Sequence, residues 1–197
     1  MKSRVIRVYS NGEGMDEALR QTELAALSYD LSQKNALHLR LLGEEMMGML
    51  KGLTGEVDAE FYIEEENNNY VLHLRTDTEM YAEKRQRLVE ATTEKRDAAA
   101  VGITGKLRSL FASMLEPKNA ETPSVSSLSS LGVFAPSSSG SGAPMWTLSE
   151  YRDQVQEAED AAEAWDELEK SVVAKLADDI SIGIRGKCVE MTIHKKF

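Results

Sequence analysis

The chain predicts an α+β fold, a two-layer sandwich in which a mostly antiparallel or mixed sheet of about five strands is covered on one face by helices. Three observations predict it. Alternating, β-branched segments come mostly in hairpin pairs, "VDAEFYIEEENNNYVLHLRT" and "ISIGI" with "KCVEMTIHK". Segments of helical period are grouped between those pairs instead of alternating with single strands, as a parallel sheet would require. The length, 197 residues, suits one ordinary domain or one domain with a long insertion.

Each element follows from local pattern. "RVIRVYS" (Arg4 to Ser10) alternates and reads as a first strand, ended by "NGEG". "MDEALRQTELAALSYDL" reads as a first helix with Asp16 and Glu17 in its opening turn, where negative charge favours the helix dipole. A second helix starts near "SQKN" and runs through "LRLLGEEMMGMLKGL", with Leu39, Leu42, Met46, Met49, Leu50 and Leu53 as one apolar stripe. In the hairpin that follows, Ala59, Phe61 and Ile63 point one way and Asp58, Glu60, Tyr62 and Glu64 the other. After "NNN", Tyr70, Leu72 and Leu74 alternate against Val71, His73 and Arg75.

"AEKRQRLVEATTEKRDAAA" is charged with a weak apolar stripe, and "GITGKLRSLFASMLE" is a stronger helix through Ile103, Leu107, Leu110, Phe111 and Met114. Residues 117–146 are dominated by Ser, Pro, Gly and Ala. Such a segment buries too little apolar surface to offset its ordering entropy, so it reads as a flexible insertion between 1–116 and 147–197. Thr147 and Glu150 have capping-box spacing. One long helix is expected after them, with Leu148, Tyr151, Val155, Ala162, Trp165, Leu168, Val172 and Leu176 on one face. "ISIGI" and "KCVEMTIHK" close the chain, with Val189, Met191 and Ile193 sharing a face. No internal repeat is visible.

The totals narrow the function classes. A formal charge of -10 disfavours non-specific attraction to nucleic acid or to an anionic membrane. Cys188 is the only cysteine, so no internal disulfide and no cysteine-based zinc site is expected. His38, His73 and His194 show no metal-ligand spacing, so no protein metal cage is expected. The polar start and the lack of an apolar run of about 18 residues read as a cytoplasmic protein. Cys188 sits in an alternating strand as a small buried thiol, and the acidic run "QEAEDAAEAWDELE" follows the solvent side of a helix.

The order strand, helix, acid-bearing helix, hairpin, helices and closing strand pair resembles the ATP-binding fold of histidine kinases, gyrase and the heat-shock chaperones related to them (the GHKL superfamily), most closely its compact anti-sigma-factor-kinase form. "DDISIGIRGKCVEMTIHKKF" resembles that fold's last hairpin. The resemblance implies a second helix carrying a glutamate and, four positions on, a Mg²⁺-binding asparagine. Here Glu44 pairs with Gly48, with Lys51 at a position that is often basic, and Glu45 pairs with Met49. Neither register offers the oxygen that Mg²⁺ requires. The resemblance also implies that Asp77, at the end of the second hairpin strand, accepts from an adenine amino group. No glycine follows it, and a strand-ending or helix-capping role accounts for it equally. Gly102 and Gly105, with Lys106, lie where the family holds phosphate at a helix N-terminus, and tight packing or a change of chain direction also accounts for such glycines.

Three readings result. The first is an ATP-binding regulatory protein, impaired as an enzyme because phosphoryl transfer depends on metal charge, with Glu44 or Glu45, Asp77, Gly102, Gly105 and Lys106 around the ligand. The second is an anti-sigma-like interaction module, a pseudo-ATPase that binds a regulatory protein partner and no nucleotide. A third option is a scaffold that binds itself through the Trp165 helix face, and a homodimer is compatible with all three.

Overall fold

The computed structural model describes residues 1–28, 30–51, 57–77, 107, 111, 145–157, 162–185 and 188–197. It is an α+β sandwich, as the hairpin pattern predicts, but its sheet has six strands. In chain order these are β1 (Ile6–Tyr9), β2 (Asp58–Glu66), β3 (Asn69–Asp77), β4 (Met145–Thr147), β5 (Asp179–Arg185) and β6 (Cys188–Lys196). The spatial order is β1-β2-β3-β6-β5-β4, and every neighbouring pair is antiparallel. The described helices are α1 (Met15–Ser28), α2 (Gln33–Lys51), α3 (Leu148–Glu157), α4 (Ala162–Lys170) and α5 (Val172–Leu176).

Register fixes the faces. The aligned row Ile6–Phe61–Leu74–Met191–Ile182–Trp146 crosses all six strands, and each of its members is buried. Together with Val8, Ala59, Ile63, Leu72, Val189 and Ile193 it forms one core with the apolar stripes of the helices. The intervening positions, Arg7, Glu60, Tyr62, Glu64, His73 and Arg75 among them, turn to the opposite face. The β2–β3 hairpin closes through Asn67 (φ 52°) and Asn68 (φ 62°), the two left-handed residues of a type I′ turn.

The chain start extends β1 along β2. Ser3 N–H donates to Ile63 O at 2.8 Å, and Ile6 pairs with Phe61, so Arg4 and Val5 together oppose Tyr62 as a β-bulge. The buried Gln21 of α1 steadies that bulge, its amide donating to Ser3 Oγ and Arg4 O, both at 2.8 Å. In the turn after β1, Glu13 N–H donates to Asn11 Oδ1 at 2.9 Å. Gly14 (φ +78°) then lies so close to Arg7 that a Cβ would come within 2.2 Å of its carbonyl oxygen.

Two features differ from the sequence expectation. The sixth strand, β4, starts inside the stretch assigned to the insertion: Trp146 pairs with Ile182, is 6% exposed and packs against Tyr151 at 5.9 Å between ring centroids. Three residues among Ser, Pro and Gly are too few to register as alternation. The expected long helix does not run unbroken to Leu176. Ser171 is the break: its side chain accepts from Ala174 N–H at 3.2 Å and restarts the helix. Across that cap the buried face shifts by one residue. Val173 and Ala174 are buried, while Trp165 and Val172 are 40% and 46% exposed. Thr147 does cap α3, accepting from Glu150 N–H at 3.3 Å.

Candidate functional site

The apolar stripe of α2 is buried as its spacing predicts, through Leu39, Leu42, Met46, Met49 and Leu50, and Leu53 lies outside the described residues. The buried face is wider than the stripe, taking in Met47 and Gly43, because α2 packs on α1 and α5 as well as on the core. A Cβ at Gly43 would meet Thr22 Oγ1 of α1 at 3.3 Å.

This packing separates the two glutamate registers. Glu44 is on the outer side: its carboxylate accepts from Arg40 Nε at 2.9 Å, and Arg40 also bridges to Glu23 of α1. Its i+4 position, Gly48, is exposed, and a Cβ added there would meet nothing within 4 Å. Exposed ion pairs of this kind are individually weak, and here they link α1 to α2. Glu45 is half-buried, and its i+4 partner Met49 is turned into the core at 2% exposure.

Asp77 lies at the end of β3 opposite Cys188, which is itself half-buried. By alternation Asp77 shares the face of Arg75, away from the helices. There it lines an open cleft of about 280 Å³ with Arg7, Asp58, Ala59, Glu60, Arg75 and Cys188. Charge alternates across that face in the order Arg7, Glu60, Arg75, Glu190, which register places side by side. The neighbouring Cys188 sulfur, first among the causes, holds the Arg75 guanidinium above its ordinary value. The sheet therefore stands between Asp77 and the acids of α2. Gly102, Gly105 and Lys106 lie outside the described residues.

Sequence alone did not bring together a second cluster on this face. Tyr62 and His73 stack with ring centroids 4.4 Å apart and planes 9° from parallel. Lys2 Nζ sits 3.9 Å over the Tyr62 ring and 3.1 Å from Glu64 Oε1. His73 Nδ1 lies 3.0 Å from Glu190 Oε1, and Tyr62 Oη donates to the same oxygen at 3.3 Å. Burial, with the nearby Glu190 charge, pushes the Tyr62 phenol up, and the Lys2 hydrogen bond holds the Glu64 carboxyl below its ordinary value. Alternation set Tyr62 apart from Phe61 and Ile63, and His73 apart from Leu72 and Leu74, but joining the two rings to each other and to Glu190 and Lys2 requires the strand register.

Further along β6, Thr192 Oγ1 lies 2.6 Å from Ser181 Oγ and 3.2 Å from His194 Nε2. Burial holds His194 below its ordinary value of 6.5, against the opposing pull of Asp179 and Asp178. A base whose folded pKa is depressed stabilises the fold above its unfolded pKa, and that contribution is lost as pH falls. The urea midpoint is therefore expected to fall as pH is lowered from about 7 through the ordinary histidine range and below, with His194→Gln flattening the dependence. An equal slope in the variant would contradict this assignment. Asp178 acts at lower pH. Burial raises its carboxyl, but the Lys195 ammonium, the Lys196 N–H and Arg152 outweigh burial and leave it below 3.8. Its contribution is lost only on further acidification.

On the helix-covered face, Thr76 stands out among the described residues. It is 2% exposed, and its Oγ1 makes no hydrogen bond. It pairs with Val189 on β6, and on β2 the position one step beyond the Glu60–Arg75 pair is Ala59, so both flanks are apolar.

Among the described residues, no group of three or more His, Cys, Asp or Glu side chains is gathered to hold a metal ion. No described helix is long and apolar enough to cross a membrane. No protein-family model, curated protein or solved structure matches the chain.

Proposed function

We propose that the chain is a cytoplasmic ATP-binding regulatory protein that holds nucleotide without Mg²⁺-dependent phosphoryl transfer. The observation that carries this reading is the arrangement of elements in space. Acid-bearing α2, inserted between β1 and β2, packs on the core side of a sheet whose centre is β2, β3 and the closing strand β6. That is the order of elements on which the resemblance to the GHKL superfamily rests. The residues of α2 do not fit the metal. Gly48 and Met49 supply no side-chain oxygen, and Glu44 is engaged with Arg40. Without metal charge at the transferring group, phosphoryl transfer loses its main electrostatic support.

Calorimetric titration with ATP and with ADP, each with and without Mg²⁺, tests the reading. The expected result is saturable one-to-one binding that Mg²⁺ does not strengthen. No heat up to millimolar nucleotide would contradict it.

One observation favours the second reading, a pseudo-ATPase that engages a regulatory protein. Asp77 and the acids of α2 are on opposite faces of the sheet, so they do not address one ligand together. A protein partner co-purifying with the chain in the absence of nucleotide is the result that reading predicts.

A further inference from the structure

We propose that the Thr76 hydroxyl, and not the Asp77 carboxylate, is the hydrogen-bonding contact for the base of the bound nucleotide. The inference rests on the nucleotide-binding reading and deepens it.

The core carries an imbalance at this position. A buried hydroxyl with no partner destabilises the fold, and valine, which has nearly the same shape, would avoid that cost. Thr76 Oγ1 is such a group. Its row neighbours, Ala59 and Val189, carry no side-chain acceptor, and Leu74, two residues back on the same face, carries none either. A ligand is the partner that would balance this hydroxyl.

The chemistry of the surroundings selects which end of a nucleotide that partner is. A phosphate brought against Ala59, Val189 and Leu74 would leave its charge without compensation, at a cost far above one hydrogen bond. A base brings apolar ring faces and a polar edge. A hydroxyl is donor and acceptor at once, which suits an edge carrying a ring-nitrogen acceptor beside an amino donor, as adenine does. Thr76 is also the last inward-facing position of β3, so it lies at the margin of the strand's buried row. Its hydroxyl is closed off from solvent, so uptake of the base involves opening this end of the core. Asp77, one residue on, faces the cleft on the other side.

The test is calorimetric titration of Mg²⁺-free ADP into the whole chain and into Thr76→Val, Thr76→Ser and Asp77→Asn, with thermal unfolding of each unliganded protein. Thr76→Val is expected to unfold at a higher temperature than the parent while binding ADP about tenfold more weakly. Thr76→Ser keeps the hydroxyl and is expected to bind within about twofold of the parent, as is Asp77→Asn. Thr76→Val binding as tightly as the parent would overturn the inference, and would show that a water or nothing at all meets the hydroxyl. Loss of binding in Asp77→Asn alone would also overturn it, placing the base on the open face. A parent chain that takes up no ADP would overturn both the inference and the reading beneath it, which separates the two kinds of failure.

Discussion

Phe61→Ala is expected to lower the unfolding free energy by about 3–5 kcal/mol, the range for truncating a fully buried phenylalanine. Phe61 is 0% exposed. It occupies the row that runs across all six strands, between Ile6 on β1 and Leu74 on β3. Its loss removes apolar burial and also leaves a cavity between the sheet and the helices, because neighbours held in a hydrogen-bonded ladder relax only in part. A domain of this size typically has about 5–15 kcal/mol in hand, so the loss is a large share of the whole. Urea unfolding reads it as a drop in midpoint at unchanged slope. A loss below about 1 kcal/mol would mean that the Phe61 row is not the centre of the core.

Gly14→Ala is expected to cost about 2–4 kcal/mol, from a clash added to an unfavourable backbone conformation. At Gly14 the added Cβ would approach the Arg7 carbonyl oxygen to 2.2 Å, with φ at +78°. That oxygen is backbone in a paired strand, so it cannot yield as a flexible side chain would. Gly12 provides the control within the same turn. Its φ is +102°, but a Cβ there would meet nothing within 4 Å. Gly12→Ala therefore isolates the conformational part, about 1 kcal/mol. Equal effects at the two positions in chemical denaturation would show that β1 does not run as close to the turn as Gly14 indicates.

Much of this architecture was legible in the residues. Period-two alternation assigned Phe61, Ile63, Leu72, Leu74, Met191 and Ile193 to the buried face, because in a one-sided sheet each strand must present one apolar side. The α2 stripe was legible for the same kind of reason. What could not be read depends on information that no local window holds. β4 is three residues long and owes its existence to pairing with β5. The division of the last helical segment at Ser171 looks, in sequence, like one serine in a continuous stripe. The candidate site was less legible than the fold. The choice between Glu44 and Glu45 turns on how α2 is rotated against its neighbours. The facing of Asp77 turns on which residue ends the alternation of β3. Thr76 is inconspicuous in the sequence, since a threonine in a strand is ordinary and only its unpaired hydroxyl distinguishes it.

Methyl NMR of the methionines during titration with Mg²⁺-free ADP decides whether nucleotide enters on the helix-covered side of the sheet. Met46 and Met49 of α2 and Met191 of β6 are buried in the core on that side, at 0%, 2% and 0% exposure. If the base enters there at the end of β3, these methyl resonances shift in a saturable manner, and the Thr76→Val variant needs more ADP to reach the same end point. Unchanged methyl resonances at millimolar ADP would contradict nucleotide binding on this face of the sheet.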